Sequence, residues 1–201
     1  MINRHQVVDR FHVMKNVLWD IQAVRIRIKT WITKEELDLE TQAKIEKRKY
    51  YPKKYRLNET HSETKKELIT RLRYQLFKRQ KDWSKNQKNR WDVIKKVEDF
   101  EEIIFSYGIV SDLFKIFDEE KNSITFQEWF TKISKRENII EMQNSWRMIQ
   151  NHLVRIMNYF NNRFTNAFAE WLNSQIQRFV SNLRWFKNQN YMLYRIITKF
   201  G

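Results

Sequence analysis

The sequence contains no cysteine, a single proline and only two glycines among its 201 residues. Without cysteine the chain has no disulfide, no thiol nucleophile and no cysteine-ligated zinc or iron–sulfur site. Sandwiches, barrels and doubly wound sheets need many turns, and those turns depend on glycine and proline. Because 41% of the residues are hydrophobic, the chain can still bury a core. The composition therefore predicts a mainly α-helical protein of one domain or slightly more.

Acidic residues are also scarce, since 24 Asp and Glu stand against 39 Lys and Arg, which gives a net charge of +15. Such an excess implies an anionic partner, and nucleic acid is the first candidate. A basic helical bundle that binds acidic proteins is the alternative that composition leaves open. No apolar run of about 18 residues is present, and Met1 to His5 lacks the apolar stretch of a signal peptide. We therefore expect a cytoplasmic protein with no membrane partner.

Hydrophobic residues recur at intervals of three and four over most of the chain, which is typical of amphipathic helices. The first such stripe runs from Phe11 to Trp31. We expect at most a vestige of β-strand, between Gln6 and Asp9, and little or no sheet elsewhere. The predicted helices span residues 10–34, 67–80, 86–117, 124–134, 138–160 and 165–180.

One segment between the first two helices has a different composition. From Lys44 to Arg56 the chain is strongly basic, with Glu46 as its one acid. Pro52 lies inside this segment, and proline interrupts a helix because it lacks the backbone N–H. We therefore predict a basic, partly helical connector.

Two acids stand in places that suit a metal ligand. Asp9 follows the apolar pair Val7-Val8 and precedes a long amphipathic helix, so its carboxylate would be held rigidly. Glu170 shares a polar helix stripe with Asn166 and Asn173, opposite an apolar stripe. Taken alone, each acid is more often a helix cap or a surface charge than a ligand.

Four segments, taken together and in order, resemble a known family. The first two are Val8-Asp9-Arg10-Phe11-His12-Val13 and Arg71-Leu72-Arg73-Tyr74-Gln75-Leu76-Phe77-Lys78. The third runs from His152 through Asn158-Tyr159-Phe160-Asn161-Asn162-Arg163 to Ala169-Glu170, and the last is the tail, with Arg184 to Asn188 and Tyr194-Arg195-Ile196. The chain thereby resembles the DDE transposases of the ISL3 insertion-sequence group, near its Bacteroidetes-type branch.

The resemblance implies a ribonuclease-H-like core in which three acids hold two magnesium (or manganese) ions. It assigns Asp9 to the second acid, at a strand end, and Glu170 to the third, on a late helix. Both are therefore candidate catalytic and metal-binding residues. The family's first acid and its N-terminal zinc-binding and helix-turn-helix parts match no residue of this sequence. We expect the C-terminal half of a transposase, inactive or nearly so alone, which an upstream-encoded half would complete.

The same resemblance divides the chain into four regions. They are residues 1–34, with the strand end, the second acid and the following helix; 35–66, the basic connector; 67–160, a large helical insertion; and 161–201, the helix with Glu170 and a basic tail.

DNA is the partner that the charge and the resemblance both imply, through contacts to its phosphates. The candidate contact residues are Lys47, Arg48, Lys49, Lys53, Lys54, Arg71, Arg73, Lys78, Arg178, Arg184, Lys187 and Arg195. The alternative to an enzyme is a non-catalytic helical DNA-binding accessory protein, and self-association is left open. For a transposase we expect a location at the bacterial nucleoid.

Overall fold

The computed structural model describes residues 10–118 and 123–162, together with scattered helical positions at 174, 175, 177–179, 181, 195 and 197–199. In the two continuous ranges, helices dominate and the one sheet has two short strands. The prediction of a mainly α-helical fold is therefore confirmed. The elements are α1 (Arg10–Ile45), β1 (Lys54–Arg56), β2 (Ser62–Thr64), α2 (Lys65–Arg71), α3 (Lys85–Ile94), α4 (Glu101–Asp118), α5 (Ser123–Ser134) and α6 (Ile140–Asn162).

Helix α1 is the central element, because it packs against α2, α4 and α6. Its 36 residues span roughly 54 Å at 1.5 Å per residue. The buried stripe runs along its first two thirds and comprises Val13, Met14, Val17, Ile21, Val24, Ile28 and Ile32. The sequence-based stripe was wrong at its two ends, since Phe11 and Trp31 are 64% and 48% exposed. The prediction assigned Phe11 and Trp31 to the core face, but the buried face of α1 is rotated slightly away from both residues.

Helix α1 also continues 11 residues beyond the predicted end at residue 34. Residues 33–45 carry little hydrophobic periodicity, but they contain good helix formers and the pair Glu40–Lys44, whose charged atoms are 2.8 Å apart at i,i+4 spacing. The helix ends at Ile45, and Lys47 then adopts a left-handed conformation with φ of 54°. The N–H of Arg48 donates to the carbonyl of Ala43 at 2.9 Å, which closes the helix end.

The connector holds a β-hairpin rather than the partial helix that we predicted. Strands β1 and β2 are antiparallel, and Tyr55 pairs with Glu63 at the centre of the register. The turn between them is closed by Asn58, whose side-chain oxygen accepts the N–H of Thr60 at 3.0 Å. Pro52 lies just before β1, where a missing N–H costs no ladder hydrogen bond.

Only the first part of the predicted helix 67–80 is helical, because α2 ends at Arg71 and irregular turns follow. Side chains from other elements bind the carbonyls of these turns. Gln22 donates to the carbonyl of Arg73 at 2.7 Å, and Trp83 donates to that of Gln75 at 3.1 Å. These tertiary partners satisfy the backbone without an α-helical ladder, although Leu72 and Leu76 are fully buried as the pattern required.

The predicted helix 86–117 is divided into α3 and α4. Ser84 caps α3 and forms a capping box with Gln87. Val97 is extended, and α4 begins at Glu101 after a short 3-10 turn. Glu101 and Glu102 thus lie at the positive end of the α4 dipole, where acids are favourable.

Helices α5 and α6 agree with the predictions 124–134 and 138–160 to within two residues. Helix α5 packs between α4 and α6, and α6 packs along α1. Phe126, Trp129 and Ile133 are buried along α5, and Ile149 and Ile156 along α6. The predicted strand at residues 6–9 lies outside the described residues, as does most of the predicted helix 165–180.

Candidate nucleic-acid interface

The two candidate catalytic acids, Asp9 and Glu170, lie outside the residues that the structure describes. Within the described ranges, no group of three or more His, Asp or Glu side chains is placed to hold a metal ion. The described surface therefore bears on the second predicted property of the chain, which is the binding of DNA.

The cations of the connector form an exposed basic surface. We name this surface the connector patch and define it by Lys47, Lys49, Lys53 and Lys54. All four side chains are exposed, and none makes an ion pair with a described residue. The ammonium group of Lys53 lies 5.2 Å from the centre of the Tyr55 ring, which leaves its charge available. Arg48 is beside the patch, but its guanidinium pairs with Glu46.

An open groove of about 550 Å³ lies next to the connector patch, between the last turns of α1 and residues 48–52. Lys49 and Tyr51 line one wall, while Glu36 and Glu40 line the α1 wall. Lys44, Arg48 and Lys66 also line the groove, so its walls carry charges of both signs.

A buried ion-pair cluster attaches the hairpin to the helices. Because side chains alternate along a strand, Glu63 points inward from β2, and its side chain is fully buried. Both carboxylate oxygens of Glu63 accept from Arg90 of α3, at 2.8 and 2.7 Å. Arg71, at the end of α2, donates to the same carboxylate at 2.6 Å, and His61 lies 3.0 Å away. The hairpin is thus joined to two helices at one point.

The electrostatics of this cluster favour the charged form of Glu63. Burial raises the pKa of the Glu63 carboxyl, but hydrogen bonds from Arg90, His61 and Arg71 outweigh burial and lower the pKa to about 2. Arg71, which we predicted to contact DNA, therefore serves a structural ion pair, although nearly half of its side chain remains exposed.

The other predicted DNA contacts do not belong to the connector patch. Arg73 and Lys78 are exposed on the turns after α2. Arg178 and Arg195 are exposed at described helical positions near the C-terminus. Arg184 and Lys187 lie outside the described residues.

Many acids of the helices pair with cations from other elements. Arg27 of α1 bonds both Glu102 and Glu141, at 2.8 and 2.7 Å. Asp118 accepts from Arg10 and Arg79, each at 2.7 Å. The remaining acid–cation pairs of this kind are Lys65–Asp99, Arg136–Glu101 and Lys132–Asp112.

Sequence reasoning missed the role of Glu63, because no local pattern marks a single acid in a three-residue strand. The one available signal was the alternation Ser62-Glu63-Thr64, which places the acid on the opposite face from its neighbours. It also missed that Trp19 and Phe77 are exposed and in contact.

A comparison with protein families places the chain. The family model of the ISL3-type DDE transposases, described as Transposase, matches residues 2–196. No curated protein and no solved structure matches the chain at a significant level.

Because the match covers nearly all of the sequence, the chain belongs to the ISL3 family of DDE transposases. Membership supports a role in DNA transposition with DNA as partner, and it agrees with a ribonuclease-H-like core. In the part of the chain that the structure describes, no helix is both long and apolar enough to cross a membrane.

Proposed function

We propose that this chain takes part in DNA transposition by DDE phosphoryl transfer, with Asp9 and Glu170 as two of the three metal-binding carboxylates. The family match carries the proposal, since residues 2–196 include both acids. Each acid also stands in one of the motifs that resemble the family. Their separation along the chain leaves room for the helices α1 to α6 between them.

The donor set fits the cofactor that the family implies. Magnesium prefers hard oxygen ligands, and Asp9 and Glu170 each supply a carboxylate. When bound, a pair of such ions activates water or a DNA 3′-hydroxyl and stabilises the leaving oxygen of an in-line displacement. The protein's part is to hold the two carboxylates at a fixed separation, Asp9 at a strand end and Glu170 on a helix.

No residue of this sequence matches the family's first acid, so we expect these 201 residues alone to cut DNA poorly or not at all. The test measures strand cleavage of a transposon-end duplex in magnesium, with the chain alone and with a polypeptide that supplies the family's first acid added. We expect cleavage only in the mixture. Robust cleavage by the chain alone would overturn the assignment of an incomplete site.

Variants of the two acids test their roles. Asp9→Asn and Glu170→Gln should each reduce cleavage by the mixture by at least a thousandfold, because each removes a negative ligand oxygen. Glu128→Gln makes the same kind of change at an exposed helical position and should leave cleavage unchanged. Full activity in Asp9→Asn would show that this acid is not a metal ligand.

The connector patch is proposed to hold DNA phosphates. Its lysines are exposed, close in sequence and without acidic partners among the described residues, so a phosphate need not displace an internal ion pair. Phosphate contacts carry no sequence information, and each releases counterions from DNA. We therefore expect similar affinities for terminal-repeat and random duplexes, and a steep loss of both with salt.

The matched test compares two triple variants that each lower the net charge by three. One is Lys49→Ala, Lys53→Ala and Lys54→Ala in the patch, and the other is Lys81→Ala, Lys85→Ala and Lys88→Ala, which are exposed lysines at and before α3. The patch variant should reduce the slope of log affinity against log salt by about 2–3, at roughly 0.9 per phosphate contact. Equal losses in both variants would show that only the total charge matters.

A further inference from the structure

Two aromatic side chains form an exposed pair on the face of α1 that points away from the core. Trp19 is 60% exposed and Phe77 is 37% exposed, and their ring centres lie 6.5 Å apart in an edge-to-face arrangement. Tyr74, in the same turns as Phe77, is 66% exposed. Phe77 and Tyr74 belong to the segment Arg71–Lys78, one of the segments that resemble the family and to which the proposed chemistry gives no role.

The turns that carry Phe77 are held by side-chain hydrogen bonds at two points. The Gln22 side chain, three residues after Trp19, donates to the carbonyl of Arg73 and ties the turns to α1. At the other end, the Tyr107 hydroxyl donates to the carbonyl of Lys78 at 2.7 Å. The backbone segments that carry the two rings are therefore held together before any partner arrives, which lowers the entropic cost of binding.

Three exposed cations lie close to the aromatic pair along the chain, and they have no acidic partners among the described residues. Lys15 lies one turn before Trp19 on α1, and Arg73 and Lys78 bracket Phe77. The guanidinium of Arg73 packs over the Tyr74 ring at 5.3 Å, so it remains at the surface. Burial and the nearby charge of Arg73 lower the pKa of Arg25, as expected where positive charge is in excess. The adjacent Asp20 is bonded to Ser145 of α6.

A second exposed tryptophan on the same helix lies in a different electrostatic environment. Trp31 is 48% exposed, but the charged residues that line the hollow beside it are Glu98, Asp99, Glu101 and Glu102 with the single cation Arg27, so the net charge there is negative. An exposed indole ring is therefore present in both places, while the surrounding charge has the opposite sign. Only the ring of Trp19 lies where a polyanion would be attracted.

We propose that Trp19 and Phe77, flanked by Lys15, Arg73 and Lys78, form a platform on which an unpaired nucleotide of DNA stacks. This inference rests on the proposed function, in which the chain acts on DNA. Every base has an apolar face that can stack on an aromatic ring, and the phosphates on either side of that base can reach the cations. An apolar protein partner would bury the three cations without a counter-charge, which is costly.

The test uses the 201-residue chain and two DNA probes of equal length, one a blunt duplex and the other a duplex with a short 3′ single-stranded overhang. The wild type should bind the overhang probe more tightly. Trp19→Ala should lose affinity for that probe by roughly 5- to 150-fold, in line with the loss of one stacked base, while duplex binding changes little. Trp19→Phe should restore most of the preference.

Trp31→Ala is the matched control, because it removes the same side chain from the acidic part of the same helix. It should leave both affinities unchanged. An equal effect of Trp19→Ala and Trp31→Ala, or no preference for the overhang in the wild type, would overturn the platform. Loss of self-association in Trp19→Ala, with DNA binding intact, would instead assign the surface to a second copy of the chain.

The outcomes separate the platform from the proposed function. If the wild type binds the blunt duplex with steep salt dependence but Trp19→Ala behaves like wild type on both probes, the platform alone is wrong. If the wild type binds neither probe, the proposed contact of the chain with DNA is wrong, and the platform is wrong with it.

Discussion

The helical body, by which we mean helices α1 to α6, and the connector of this protein use the same types of charged residue in opposite ways. In the body, Arg27 and Asp118 are each bonded to two partners on other elements, so the charges join helices. In the connector, Lys49 and Lys53 are exposed and have no acidic partner among the described residues. The two regions are similarly basic in sequence, yet Arg27 of the body is held by internal carboxylates, whereas the lysines of the connector patch have no such partner among the described residues.

The difference shows that the density of basic residues along a chain does not measure its affinity for DNA. A cation that already bonds a carboxylate must give up that partner before it can bind a phosphate. The useful quantity is the number of exposed cations without such a partner, and this number follows from the tertiary structure.

Glu63 is where the two regions meet, and its substitution should have the largest effect. Glu63→Gln leaves the guanidinium of Arg90 buried with no counter-charge, which should lower the free energy of unfolding by about 3 kcal/mol. Urea unfolding of the variant and the wild type measures the change. Glu59→Gln, an exposed acid in the turn of the hairpin, should change stability by less than about 0.5 kcal/mol. Equal stabilities of Glu63→Gln and wild type would contradict a structural role for the cluster.

The same cluster predicts a dependence of stability on pH. Because the pKa of Glu63 is lowered to about 2 in the folded chain, its contribution is complete above pH of about 5. It is lost as the pH falls from about 4.5 towards 2, with a total of about 3 kcal/mol. In Glu63→Gln, the stability lost over the same pH range should be smaller by about 3 kcal/mol. Parallel pH profiles of the two proteins would mean that the carboxylate is not tightly paired.

Arg27 in the helical body should show a smaller effect, of the same sign. Its side chain is nearly half exposed, so Arg27→Ala should cost only about 1 kcal/mol of stability although it removes two ion pairs. DNA affinity should change by less than about threefold, since this cation is already paired. Lys53→Ala in the connector should show the opposite pattern: its stability should equal that of the wild type, and its affinity for DNA should be measurably lower. A large loss of DNA affinity in Arg27→Ala would weaken the contrast between the two regions.

Substitution of Lys47 by glycine should give the smallest change in stability, and this change should be an increase. Its left-handed backbone, with φ of 54°, disfavours a residue with a Cβ, so Lys47→Gly should raise stability by about 0.5–1 kcal/mol. Lys47→Ala removes the same charge but keeps the strained backbone, and it should show no such gain. The difference in melting temperature between the two variants isolates the backbone term from the charge.

Hydrophobic periodicity predicted α5 and α6 closely, because each is a continuous stripe with clear ends. It failed after Arg71 and around Val97, where an apolar pattern continues through a break in the helix. At the first break, Gln22 and Trp83 bind backbone carbonyls from elsewhere in the fold. Such partners are invisible to a local pattern.

The sequence by itself determined the helical class, the net charge and membership of the transposase family, because composition, periodicity and motifs are properties of the chain alone. It also singled out Asp9 and Glu170 as candidate ligands, and they remain predictions. Tertiary structure decided which cations are free, that Glu63 is buried, and that Trp19 lies among positive charges while Trp31 lies among acids. The physical reason is that burial and ion pairing depend on residues that are distant in sequence and adjacent in space.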